Sequence, residues 1–174
     1  MMGLGLPIPM VGNFRGGRGS GPPATPVWAR VQGVKSTSGS GTTVNLAFSA
    51  PVASGNIVLG GMLLVSDAIL ISVTDDKSNA YALINSGHQP TGGNSVTGFR
   101  SAGPLTNVPQ TLTFTYQSSG TVWIAIDEFS AGIALSGISV DGSQLLVNGA
   151  GQVTPNFQTL KSNDLQYNAN FCTA

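Results

Sequence analysis

Residues 111–129 read TLTFTYQSSGTVWIAIDEF, and this stretch decides the fold. Leu112, Phe114 and Tyr116 alternate with Thr111, Thr113 and Thr115. A period of two puts one set on a core face of a strand and the other toward water. Gln117-Ser118-Ser119-Gly120 supplies a turn. Thr121–Phe129 then runs as a strand rich in β-branched and aromatic residues, and is expected to be buried, with Trp123 in the core.

The same period extends outward. Val44, Leu46 and Phe48 alternate with Asn45 and Ala47, after a Gly39-Ser40-Gly41 turn. Ile57–Val65 is a nearly continuous apolar run, as in a central strand buried on both faces. Ile69, Ile71 and Val73 alternate next, and Asp75-Asp76-Lys77-Ser78-Asn79 forms a polar turn into 80–84. Residues 87–94 read as a loop, and 27–34, 96–101, 138–147 and 165–172 as further strands. No segment has a helical period. Many short strands separated by turn signals predict an all-β fold, an antiparallel β-sandwich or jelly roll.

The composition agrees. Only 8% of residues are charged, against roughly 25% in an average soluble chain, while 41% are hydrophobic. That balance argues against a charge-driven disordered chain and against a dedicated nucleic-acid binder. One Cys precludes an intramolecular disulfide, and one His precludes a multi-histidine metal site. No apolar window reaches the ~18 residues of a membrane span. The start, MMGLGLPIPMVG, has no cationic region ahead of its apolar residues and is broken by Pro7 and Pro9, unlike a signal peptide.

Residues 1–26 form a zone of their own, an extended arm ahead of a sandwich domain at 27–174. Seven glycines and five prolines fall in it, which disfavours a helix or an interior strand. Extended, it would reach roughly 80 Å at ~3.3 Å per residue. It nevertheless carries apolar anchors, Leu4, Leu6, Ile8, Met10, Val11 and Phe14, followed by Arg15 and Arg18. A pure linker has no use for anchors, so these eight residues are expected to bind a partner and order on it. Charge is also asymmetric. Arg15, Arg18, Arg30 and Lys35 all precede the first acid, Asp67; three cations and all seven acids follow. Such a division suits contacts between copies, and a homo-oligomer, a trimer first, is expected.

From Val27 onward the order of segments resembles a β-sandwich domain family of phage structural proteins and large bacterial surface proteins. The matching stretches are VQGVKSTSGSGTTVNLAF, GNIVLGGMLLVSD, ISVTDDKSNAYALI and QTLTFTYQSSGTVWIAIDEFSAG. The family's late strand ends in Glu, an aromatic, Ser and Gly; here Glu128-Phe129-Ser130 fits and Ala131 intervenes before Gly132. The resemblance implies a jelly-roll-like sandwich. The family pattern continues with further strands past Ser162–Leu165, so the domain is expected to be incomplete at its C-terminus: a piece of a longer fibre-like protein, or a sheet completed by a neighbour.

Candidate chemistry is sparse. Asp127 and Glu128 form a carboxylate pair, but consecutive strand residues face opposite ways and cannot converge on one glycosidic bond. One is expected exposed and the other buried and hydrogen-bonded. Asp75, Asp76 and Asn79 lack the acid spacing, Gly and distal Glu of a calcium loop and are expected to stabilise a hairpin turn. His88, near Ser86, has no nucleophile-elbow motif around it, and Cys172 is a lone thiol. GNFRGGRGSG is similar to RNA-binding Gly/Arg segments but has two arginines and no repetition. Trp28, Tyr81, Phe99, Tyr116 and Trp123 would serve a sugar platform only if they formed an exposed row. No catalytic, cofactor or metal residues are assigned.

These features lead to an expected virion role: a structural protein of a bacteriophage, made in the host cytoplasm. The favoured place is a tail fibre or appendage, where residues 1–26 would anchor the chain to other virion proteins. The alternatives are a capsid decoration (head) protein and a carbohydrate-binding module for a host-surface glycan.

Overall fold

The computed structural model describes residues 25–38, 41–65, 69–88, 93–136, 144–147 and 153–156. Among them there is no helix. Ten strands follow in chain order: β1 (Ala29–Ser38), β2 (Thr43–Ala47), β3 (Ile57–Val65), β4 (Leu70–Asp75), β5 (Tyr81–His88), β6 (Asn94–Ser101), β7 (Thr111–Tyr116), β8 (Thr121–Ser130), β9 (Gln144–Val147) and β10 (Val153–Asn156). They form a five-stranded sheet, β1-β8-β3-β6-β5, a three-stranded sheet, β2-β7-β4, and a β9–β10 hairpin. Every pairing is antiparallel.

The order is that of a jelly roll with one strand moved. Folding a long hairpin over pairs strand 1 with 8, 2 with 7, 3 with 6 and 4 with 5, giving two sheets of four. The first three pairings are present here. β5 instead pairs with β6, in the other sheet. The result is five strands facing three.

The sequence pattern accounts for the core. Leu112, Phe114 and Tyr116 of β7 are buried, with Thr111, Thr113 and Thr115 on the outer side. They join Val44, Leu46, Leu70 and Val73 against Val58, Met62, Leu64, Phe99, Val122, Ile124 and Ile126 of the larger sheet. Phe99 and Phe114 bridge the sheets edge to face, ring centroids 5.2 Å apart. Gly60, directly opposite Phe99 in the ladder, makes room for that ring. A Cβ there would collide with the ring and lie 2.6 Å from the Ala125 carbonyl oxygen.

The larger sheet overhangs the smaller one. Leu83 of β5 pairs with Phe99 and so shares its inward face, yet Leu83 is 45% exposed and Phe99 only 1%. On the same side, β4 is the edge of the smaller sheet, and its bulge residue Ile71 is 56% exposed.

Several expectations are corrected. Trp123 is not core: in β8 the inward residues are Val122, Ile124, Ile126 and Glu128, and Trp123 is half-buried on the outer face. The run looked uniformly buried because the outer face is itself partly apolar, with Leu63 and Val96 buried there too. The first strand lies at 29–38 rather than 27–34, because pairing with β8 continues to Ser38↔Val122. A bulge between Ile84 and Ser86 carries β5 on to His88, into the stretch expected to be a loop. β9 falls within 138–147, β10 was not anticipated, and 165–172 lie outside the described residues.

Candidate functional site

One end of the sandwich gathers the polar side chains. The start of β1, the ends of β4 and β8, and loops 48–56 and 102–110 meet there. Four carboxylates serve it.

Asp127 and Glu128 point to opposite faces, as consecutive strand residues must. Asp127 takes the outer face, where Arg30 Nε donates to its Oδ1 at 2.7 Å and Arg30 Nη2 approaches the same oxygen at 2.6 Å. The pair lies across Gly33; a Cβ at Gly33 would collide with Asp127 Oδ1 and Arg30 Nη2. Glu128 points inward and is 1% exposed. Its Oε1 accepts from Ala53 N at 2.9 Å and Asn56 Nδ2 at 2.6 Å, and its Oε2 from Gln32 Nε2 at 2.7 Å. Gln32 continues the network: its Nε2 also donates to Ala50 O, and its Oε1 accepts from Ser49 Oγ and Ala50 N. A buried carboxylate with three donors is satisfied where it stands. It latches loop 48–56 and β1 to the end of β8, and its oxygens are committed to that work.

Asp75 and Asp76 hold the β4–β5 turn. Asp75 Oδ1 accepts from Lys77 N and Asn79 N, and Oδ2 from Asn79 Nδ2 and Tyr81 Oη. Ser78, at φ 60°, takes the left-handed conformation that closes the turn. Burial, reinforced by the neighbouring Asp75 carboxylate, pushes the Tyr81 phenol far above its ordinary value. Asp76 Oδ1 accepts from Gln110 N and Thr111 N, and the Gln110 bond above all holds its carboxyl below the ordinary range. The turn is held by Asp and Asn side chains as the sequence predicts, but it is not a hairpin: β4 pairs with β7 and β5 with β6, so the turn carries the chain from one sheet to the other. Among the described residues no three His, Cys, Asp or Glu side chains are grouped to hold a metal ion.

The arm joins the sandwich at this same end. Val27 N donates to Ala131 O at 2.8 Å, extending the β1–β8 ladder by one bond before the strand begins. The anchors Leu4, Leu6, Ile8, Met10, Val11, Phe14, Arg15 and Arg18 lie outside the described residues, as do Cys172 and the His88 side chain. The five aromatics do not form a row. Phe99 and Tyr116 are in the core, Tyr81 packs against it with its hydroxyl on Asp75, Trp123 is on the outer face of the larger sheet, and Trp28 is half-buried just ahead of β1.

Gln32 and Asn56, the two side chains that hold Glu128, were missed in the sequence. A signal existed. Glu128 has the phase of Val122, Ile124 and Ile126, and Gln32 that of Val34, so both are polar residues at inward positions. Such positions require partners. Comparison with protein-family models, curated proteins and solved structures gives no match.

Proposed function

We propose that the chain is a structural virion protein of a bacteriophage, a tail-fibre or appendage component fixed to neighbouring virion subunits by residues 1–26. The observation that carries this is the contrast between arm and body. The arm is an acid-free Gly/Pro stretch with six large apolar anchors. It leads into an edge strand of a jelly-roll-type sandwich whose described carboxylates are engaged, Asp75, Asp76 and Glu128 in holding loops and Asp127 in an ion pair with Arg30. Fold alone does not assign function; the arm supplies the role. Ordering some twenty arm residues costs about 1–2 kcal/mol each, so the receiving surface has to be extensive.

A capsid decoration protein would use the same parts, and fractionating heads from tails separates the two. A glycan-binding module depends on an exposed aromatic row, which the scatter of Phe99, Tyr116, Tyr81 and Trp123 does not favour. The test is deletion of residues 1–26. The shortened chain is expected to keep its β-sheet circular-dichroism spectrum and cooperative melting but to be missing from purified particles. Normal incorporation would overturn the proposal.

A further inference from the structure

The displacement of β5 leaves a strand-wide slot beside β4, roofed by the inward face of β5. Ile71 and Leu83 at its margins are exposed, and among the described residues no strand pairs with the free edge of β4. The other three edges suit the arm less well. On β1 Arg30 is already paired with Asp127 and Lys35 adds a further cation, so that edge offers Arg15 and Arg18 no free acid. β5 has β9 nearby, though not paired with it. β2 offers exposed Thr43, Asn45 and Ala47, with nothing for large apolar anchors to pack on.

The arm has the pattern of a strand made for an edge. In residues 3–10, GLGLPIPM, the large residues Leu4, Leu6, Ile8 and Met10 occupy every second position. Extended, they share one face, and Gly3, Gly5, Pro7 and Pro9 share the other. Backbone hydrogen-bonding groups alternate with the same period. The groups of Leu4, Leu6, Ile8 and Met10 point to one side, and those of the two prolines to the opposite side. Such a strand can pair along one side only, with its prolines on the free edge, where strand prolines are tolerated. Those prolines also block a further strand from adding.

We propose that the slot beside β4 receives residues 3–10 of a neighbouring copy of this chain as an added edge strand. Leu4, Leu6, Ile8 and Met10 then turn inward, under the overhang at Leu83, and rebuild the fourth strand of the smaller sheet. Charge sets the direction. Asp75 and Asp76, against the single cation Lys77 whose Nζ lies 3.7 Å from Asp76 Oδ2, leave the end of β4 net negative, and the Asp76 side chain is 40% exposed. Arg15 and Arg18 come to that end when the arm runs parallel to β4. The contact is heterologous, arm to slot, and repeats from copy to copy as a ring or a filament. This inference rests on the arm being the anchor of the protein.

Two full-length chains in a Cys172→Ser background test it, one carrying Pro7→Cys and the other Ile71→Cys, both on the outward face. Treated with a short bismaleimide, the mixture is expected to give a covalent dimer that neither chain gives alone and that Leu83→Arg in the Ile71→Cys chain abolishes. Absence of the mixed dimer overturns the proposal. So does a chain bearing both cysteines that links only within itself. If the arm is required for incorporation into particles but no cross-link forms, the slot is wrong and the anchoring role stands. If arm-deleted chains enter particles normally, the anchoring role falls.

Discussion

Along the β1/β2 side the two sheets are tied together by side chains: Gln32 of β1 holds both the loop after β2 and Glu128 of β8. Along the β4/β5 side the described ties cluster at the turn, where Asp75 holds Asn79 and Tyr81. Beyond it Ile71 and Leu83 are left to solvent. The difference shows two ways to finish a sandwich. A polar network closes a side permanently, because each buried group loses its partners when the side opens. An apolar margin beside an unpaired strand leaves the side available to another chain.

The largest effect is expected on the closed side. Glu128→Ala leaves Gln32 Nε2, Ala53 N and Asn56 Nδ2 without their acceptor and is expected to cost about 3–4 kcal/mol in urea unfolding. A loss below about 1 kcal/mol would mean the side is closed by packing alone. A smaller effect is expected at the turn. Tyr81→Phe removes one hydrogen bond to Asp75, at about 1 kcal/mol at neutral pH. It also changes the alkaline limb. The Tyr81 phenol is raised on folding, so its contribution is complete below about pH 10, the ordinary tyrosine value, and fades as pH rises through the folded value. Unfolding at pH 9 and pH 11 should show a steeper decline in the parent than in the variant, which keeps the contribution of Tyr116, whose phenol burial also raises. The smallest stability effect is expected on the open side. Ile71→Lys should shift unfolding by no more than about 0.5 kcal/mol, as for other exposed positions. A large loss there would show that the side is not open.

Much of this architecture was legible in the residues, for identifiable reasons. TLTFTY has unambiguous period two, and its burial alternates accordingly. IVLGGMLLV announced a strand enclosed on both faces, and β3 lies between β8 and β6. What was hidden depends on contacts distant in the chain. Whether Trp123 faces in or out turns on how the outer face of the larger sheet is covered. The partnership of Gln32 with Glu128 spans 96 residues, and local pattern shows only that each needs a partner. The migration of β5 to β6 was equally invisible, since its alternation suits an edge in either sheet.

The bond from Val27 to Ala131 carries a mechanical corollary. Through that bond the residue two positions ahead of β1 stays on the line of the β8 ladder. A pull on Val27 along the strand axis slides β1 along β8 and strains the pairs from Ala29↔Ser130 to Ser38↔Val122 together. It does not peel them one after another. The Arg30–Asp127 and Gln32–Glu128 contacts sit nearest that pulled end, like rivets at the root of a seam.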